Sequence, residues 1–289
     1  MSILEEYRRS LKSTEAEEFI DLVFFRPVAY FFVRAIYRLP ITPNLISIFS
    51  LFAGLTAAYF FAFGEPTAWI WAAEWYALAN LLDCADGQLA RLQKSGTPLG
   101  RLIDGVVDYV SSIAIFLAIG IGLSTSDLGA WFLVILVGAS SALHAVFFDR
   151  YQNAFIAAMR GSFEPVRDEF IAFTNEVNTL RRNRRDGLKV LLLTFYLKYL
   201  QIQQRFGDVP FSNPSLYCSS NRWMIRLWSY LGPSTNRTLL ILCALFNRLD
   251  FYLWLVVALG NAWLLICFLS QRRIDRRLSD QSVPSVQSS

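Results

Sequence analysis

A chain of 289 residues that is 54% hydrophobic, 15% aromatic and 17% charged, with a mean hydropathy of +0.37, falls well below the charged fraction of about 25% usual in soluble domains. Those figures exclude an ordinary soluble enzyme and point to a membrane protein. The net charge of +4 would weakly suggest anionic partners only if it were spread evenly, no nucleic-acid partner is expected, and Cys84, Cys218, Cys243 and Cys267 show neither a CxxC nor a disulfide-framework spacing.

In chain order, residues 1–19 read as an amphipathic helix of mixed charge at the inner membrane surface. Residues 20–39 read as its apolar continuation, where Arg26, Pro27, Arg34 and Arg38 suit an interfacial helix better than a span. The polar stretch up to Glu18 resembles no cleavable signal. Thr42 is a natural N-cap and Pro43 fits a first helical position, so the first span starts there. Because apolar runs of about 20 residues cross a bilayer, spans are predicted near 45–63, 67–83, 102–123, 129–148, 235–249 and 251–270, the fifth being short. The expected fold is an all-α polytopic membrane protein with six transmembrane helices and an interfacial N-terminal helix. Its divisions are 1–43, the first four spans over 44–148, a polar and basic insertion over 149–234, the last two spans over 235–271, and a tail over 272–289. Helices are expected at 164–182 and 187–206, and disorder from Leu278.

The charges are distributed unevenly. If Asn44 begins the first span on the cytoplasmic side, the loops on the far side hold one basic residue, Arg248. The near side holds Arg91, Lys94, Arg101, Arg150, Arg181, Arg182, Arg184, Arg185, Arg272, Arg273, Arg276 and Arg277. The excess of positive charge on one side predicts a cytoplasmic location for both termini and for the aspartates between residues 83 and 108. The Arg181–Arg185 cluster would face anionic head groups or, equally well, stand as a solvated charge run.

Between two apolar runs lies the pattern D-x2-D-G-x2-A-R-x8-G-x3-D-x3-D, formed by Asp83, Asp86, Gly87, Ala90, Arg91, Gly100, Asp104 and Asp108. A charged side chain at bilayer depth costs at least about 2.5–3.5 kcal/mol, so four carboxylates there call for compensation, most simply by divalent cations. Asp83 and Asp86 are spaced i,i+3 and Asp104 and Asp108 i,i+4, so each pair shares a helix face and the two faces can converge. Ligands that are all oxygen suit Mg2+ or Mn2+, not zinc. Gly87 and Ala90 leave room for a ligand, Arg91 offers a fork of donors to phosphate, and Gly100 permits close approach where the next span begins. Two cations on such a set would bridge a diphosphate while a spare carboxylate takes the proton of an attacking hydroxyl.

The run LLDCADGQLARLQKSGTPLGRLIDGVVD resembles the signature of the CDP-alcohol phosphotransferases, the membrane enzymes that make phospholipids, at every fixed position and at the family spacing. Thr42-Pro43-Asn44 and the six-span count are similar to that family too, whereas 149–234 is not covered. The resemblance implies a transferase of substituted phosphate, with phosphatidyl passing from CDP-diacylglycerol to an alcohol acceptor and CMP released. It implies Mg2+ or Mn2+, two ions, on Asp83, Asp86 and Asp104, with Asp108 as the base and a further metal contact. Asp83, Gly87, Ala90, Arg91 and Gly100 would line the nucleotide, and the enzyme would be a homodimer in contact with membrane lipids. Alternatives are a CDP-choline or CDP-ethanolamine transferase acting on diacylglycerol, and a divalent-cation transporter. In a purely structural reading the carboxylates only pair with Arg91 and Arg101.

Other residues weigh less. The single histidine, His144, is better read as a hydrogen-bonded core residue than as an acceptor-site group. Arg150, Arg226 and Arg237 are read as snorkelling at the interface or as reaching an anionic acceptor. Ser111 and Ser112, one turn past Asp108, are read as bonding to backbone.

Overall fold

The computed structural model describes residues 2–124, 129–161 and 213–282, together with 171, 173–175, 177–180, 187, 190, 193, 194, 197, 198 and 201. Among the described residues all regular structure is helical. Helix α1 is Ile3–Ser10, and a π-helical turn at Asp21–Phe25 leads into α2, Arg26–Ile36. There follow α3 (Pro43–Phe61), α4 (Pro66–Leu92), α5 (Pro98–Ser124), α6 (Ala130–Met159), α7 (Pro214–Ser229) and α8 (Pro233–Leu245). Helix α9 (Leu249–Trp254) continues through a second π-helical turn, Leu255–Gly260, into α10 (Asn261–Ser282).

Proline opens α3, α4, α5, α7 and α8, where its missing N–H costs no helical hydrogen bond. Thr42 and Thr97 complete two of these starts, each hydroxyl accepting an N–H three residues on, from Leu45 at 3.3 Å and from Gly100 at 3.0 Å. Helix α4 stops at a left-handed Lys94 (φ 52°), with the Ser95 N–H on the Ala90 carbonyl and the Lys94 N–H on the Arg91 carbonyl. The three residues from Ser95 to Thr97 then turn the chain back into α5, which brings the two pairs of aspartates to the same end of the two helices.

Two compact units emerge, Met1–Ala145 with Ser229–Ala262, and Val146–Trp228 with Trp263–Ser289. In the first, α3 and α4 meet through small residues, Ala53, Ala57, Ala72, Ala73 and Ala79, with Ile115 and Ile119 of α5 and Leu240 and Ala244 of α8 closing the core. Small side chains at helix contacts allow the close backbone approach on which packing in membranes depends. In the second unit, Trp228 stacks on Tyr151 (4.6 Å between centroids) and donates to Gln271, which donates in turn to Asn221 and Asp275.

Among the described residues, four helical stretches are long and apolar enough to cross a bilayer: Pro43–Phe61, Leu102–Leu123, Ala130–Met159 and Leu249–Asp280. Their outward faces are apolar too, with Phe52, Ile113, Phe132 and Leu265 exposed. Helices that are hydrophobic all round belong in lipid, and the chain is a multi-pass integral membrane protein. The expected spans at 67–83 and 235–249 fall short of that measure. Charged residues including Glu74 and Asp83 interrupt α4, and the 13 residues of α8 reach only about 20 Å at ~1.5 Å each. The helix expected at 129–148 runs on to Met159.

The helix expected over 1–19 ends at Ser10. The Ser10 hydroxyl turns back to the Tyr7 carbonyl (2.6 Å), Leu11 is extended, and the Ser13 hydroxyl accepts the N–H groups of Glu15 and Ala16. Serine side chains here compete with the helical ladder and win. Disorder expected from Leu278 is not found up to Ser282, where α10 continues; the cluster Arg181, Arg182, Arg184 and Arg185, most of the helices expected at 164–182 and 187–206, and the tail from 283 lie outside the described residues.

Candidate active site

The site is built at one end of α4 and α5. Asp83 and Asp86 stand on the last turns of α4, and Asp104 stands on the first turns of α5. Each offers a carboxylate oxygen, and the three oxygens lie within 4.8 Å of one another. Asp86 is the most deeply buried of the three and is fixed by the Ser47 hydroxyl of α3, which donates to its Oδ2 at 2.5 Å. Asp104 Oδ1 is buried and has no hydrogen-bond partner among the described residues. A buried orphan acceptor is costly, and in a set of three converging carboxylates the group that satisfies it best is a cation. The residues therefore fit a hard divalent ion held by oxygen ligands.

Asp108, one turn beyond Asp104, is held by Arg237 of α8, whose Nη2 lies 2.6 Å from Asp108 Oδ1. The other arm of the guanidinium, Nη1, donates to Asp83 Oδ2 and to Asn80 Oδ1, both at 3.1 Å. Arg237 thus ties both carboxylate pairs to a third helix with its planar fork, while Asp108 keeps about a third of its side chain exposed. It offsets only one of the four carboxylate charges, and the remaining negative excess again suits a cation. The Asn80 amide nitrogen is buried beside this contact with no partner among the described residues.

For Arg237 the structure overturns one of the two sequence readings, that of an interfacial side chain. Arg237 does not snorkel: it is buried and binds Asp83 and Asp108. The available signal was an arginine one turn ahead of the apolar run Leu239–Leu245, close enough to the membrane for an ionisable group to need a partner. The partners lie 154 and 129 residues away, and no local spacing names them.

The remaining signature residues have particular contacts. The guanidinium of Arg91 lies over Gly87, so a Cβ there would stand 3.3 Å from Nη2. Its Nε donates to the Ser10 carbonyl, which ties α4 to the N-terminal arm, and Nη2 is left buried without a partner among the described residues. Gly100 packs against the tip of Asn44, where a Cβ would come within 3.4 Å of Oδ1, and Ala90 is half-buried. Ser111 is buried against Gly54, whose missing side chain leaves room for its hydroxyl. His144 is buried and bonded to Asn261 at 3.0 Å. Side-chain detail for Arg101 lies outside what is described.

Comparison with known proteins adds two findings. Residues 40–173 match the CDP-alcohol phosphatidyltransferase family. Over 163 residues the chain is 29% identical to a phosphatidylinositol phosphate synthase of Corynebacterium glutamicum, an alignment covering 56% of this chain and 65% of that protein. Arg237 and the N-terminal arm lie outside the matched residues, whereas all four aspartates lie inside them. The chain therefore carries, over residues 40–173, a domain of the CDP-alcohol phosphatidyltransferase family.

Proposed function

We propose that the protein is a CDP-alcohol phosphotransferase that moves a phosphatidyl group from CDP-diacylglycerol to an alcohol acceptor and releases CMP, a step of phospholipid synthesis. The observation that carries this reading is the convergence of Asp83, Asp86 and Asp104 within 4.8 Å inside the family-matched residues. Mg2+ or Mn2+, as two ions, is the expected cofactor, and when bound it supplies charge neutralisation at the diphosphate and at the departing CMP.

The chain's own residues have separate tasks. Asp83, Asp86 and Asp104 hold the cations, Ser47 orients Asp86, and Arg237 orients Asp83 and Asp108. Gly87, Ala90, Arg91 and Gly100 line the side of the site that takes the nucleotide. Asp108 accepts the proton of the acceptor hydroxyl as that oxygen bonds to the phosphatidyl phosphorus. The bond from the same phosphorus to the oxygen it shares with the CMP phosphate breaks, CMP leaves with the electron pair, and the proton passes from Asp108 to water. By the distribution of arginines, the site and both termini face the cytoplasm, and α4 and α8 with their flanking residues complete six crossings.

The name of the Corynebacterium relative makes a phosphorylated inositol the first acceptor to try. The test is release of CMP from labelled CDP-diacylglycerol by purified protein, with inositol phosphate, glycerol phosphate and uncharged polyols as acceptors. Release that depends on acceptor, stops with EDTA and returns with Mg2+ or Mn2+ is expected. No release with any acceptor overturns the reading. Release only from CDP-choline or CDP-ethanolamine with diacylglycerol overturns the choice of donor.

A further inference from the structure

Helix α8, which brings Arg237 to the site, cannot cap itself. Its N-cap is Gly232, which has no side chain, and its first residue is Pro233, which has no N–H. The two N–H groups that remain, of Ser234 and Thr235, would be buried orphans. Both are taken by one carboxylate lying 216 and 217 residues away in the sequence, that of Glu18. Glu18 Oε1 accepts from Ser234 N–H at 3.1 Å, and Oε2 accepts from Thr235 N–H at 2.7 Å and from the Thr235 hydroxyl at 2.8 Å. The absence of a side chain at Gly232 is part of this arrangement, because a Cβ there would collide with the Glu18 carboxylate.

The arm that carries Glu18 is itself fixed to α4, the helix of Asp83 and Asp86. Glu17 pairs with Arg26 at 3.1 Å, and Arg26 donates to the Cys84 carbonyl at 3.1 Å. Gln88 donates to the Ser10 hydroxyl and to the Arg26 carbonyl, and Arg91 donates to the Ser10 carbonyl. The arm is therefore a bridge with one end on α4 and the other on the first turn of α8. Arg237 stands two residues past Thr235, and its fork must meet Asp83 and Asp108 at once. A slide or tilt of α8 by one hydrogen-bond length would break that double contact.

We infer that Glu18 is a positioning residue for the site: by capping α8 from the N-terminal arm it holds Arg237 in register against Asp83 and Asp108. This inference rests on the transferase reading only where activity is the readout. Glu18→Leu keeps bulk and removes both acceptor oxygens, and it is expected to lower kcat about tenfold or more while the KM for CDP-diacylglycerol stays within about twofold. Glu18→Gln retains one acceptor oxygen and restores most of the rate. In an Arg237→Ala background, Glu18→Leu adds no further loss, because the two residues act along one path. Should Glu18→Leu fail to fold, Thr235→Val removes a single donor and keeps the N–H, and its smaller loss must likewise vanish beside Arg237→Ala.

The same coupling is read without turnover by NMR of 15N-arginine-labelled protein in detergent. Guanidinium protons of Arg237 should exchange slowly in the unaltered protein and about tenfold faster in Glu18→Leu. Losses that multiply in the double variant, or an Arg237 signal indifferent to Glu18, overturn the inference. Absence of CMP release by the unaltered protein overturns the transferase reading instead, and the exchange measurement then decides the role of Glu18 alone.

Discussion

Two groups of polar side chains are buried in the same apolar unit, and they are built on opposite plans. One joins His144, Asn261 and Ser140, and close by Asn236, Ser141 and Tyr252, with contacts of 2.5–3.0 Å in which every side chain is hydrogen-bonded to another. The other, Asp83, Asp86, Asp104, Asp108 and Arg237, keeps an excess of negative charge and an orphan oxygen on Asp104. The first group is closed and serves packing, and even the π-helical turn before Asn261 belongs to it, since Gly260 leaves room for the His144 ring. The second is open and asks for a ligand. Depth in the membrane does not separate a structural polar group from a functional one; unsatisfied charge does.

The contrast is broken most severely at the carboxylates. Asp83→Ala or Asp86→Ala should reduce CMP release to background while the protein stays folded, and chelation of divalent ions should do the same to the unaltered protein. A folded variant that retains activity at saturating Mg2+ removes that aspartate from the ligand set. Asp108→Asn keeps shape but cannot take a proton, so kcat should fall by about 10^2–10^4 with nucleotide affinity little changed, read by turnover beside calorimetric CDP binding. If binding falls in step with rate, Asp108 is a metal ligand rather than the base. Arg237→Lys preserves charge but cannot reach Asn80, Asp83 and Asp108 together, and a loss of about 10- to 100-fold in kcat/KM is expected.

The closed group should respond in the opposite way. Asn261→Leu leaves His144 and Ser140 without their partner, which should cost about 1–3 kcal/mol in stability, while CMP release per folded molecule changes by less than about twofold. Thermal unfolding in detergent and turnover measured on the same sample separate the two effects, and a variant of normal stability with lost activity would move that group into the site.

The smallest effect concerns carboxylates that are buried like those of the site and capped like those of the network. Burial, with Asp21 nearby, pushes Glu18 from an ordinary value of 4.5 up to about 8, against the donors of Ser234 and Thr235. Burial likewise pushes Asp21 up to about 6, although Arg26 opposes it. The folded state therefore holds protons that the unfolded chain has released. The stabilisation is fully present below about pH 4 and is lost as pH rises through about 6 and then about 8. The unfolding temperature should decline over that window, and Glu18→Gln should flatten its upper part.

Much of this arrangement was legible in the sequence because it is local. Thr42-Pro43 marks a helix start through a side chain three residues from its target, and the spacing of Asp83 with Asp86 and of Asp104 with Asp108 puts each pair on one face. What escaped is carried by contacts across long separations. Arg237 meets Asp83 across 154 residues and Glu18 meets Thr235 across 217, and neither has a spacing to announce it. The sequence pattern points Arg91 at phosphate, yet the structure also turns it to the Ser10 carbonyl, a contact that no pattern within its own helix specifies. The end of α1 at Ser10 was missed for a different reason, since amphipathic periodicity says nothing of serine hydroxyls that cap a turn in its place.

Arg237 reaches Asp83 and Asp108 from outside the stretch that matches the family. A version of the chain trimmed to residues 40–173 would keep every aspartate of the signature and lose both the guanidinium that binds Asp83 and Asp108 and the arm whose Glu18 accepts the first N–H groups of α8. The stretch that matches the family is thus narrower than the set of residues that meet at the aspartates. If Glu18 seats α8 as inferred, tags, truncations and fusions at the N-terminus should lower CMP release without touching any aspartate.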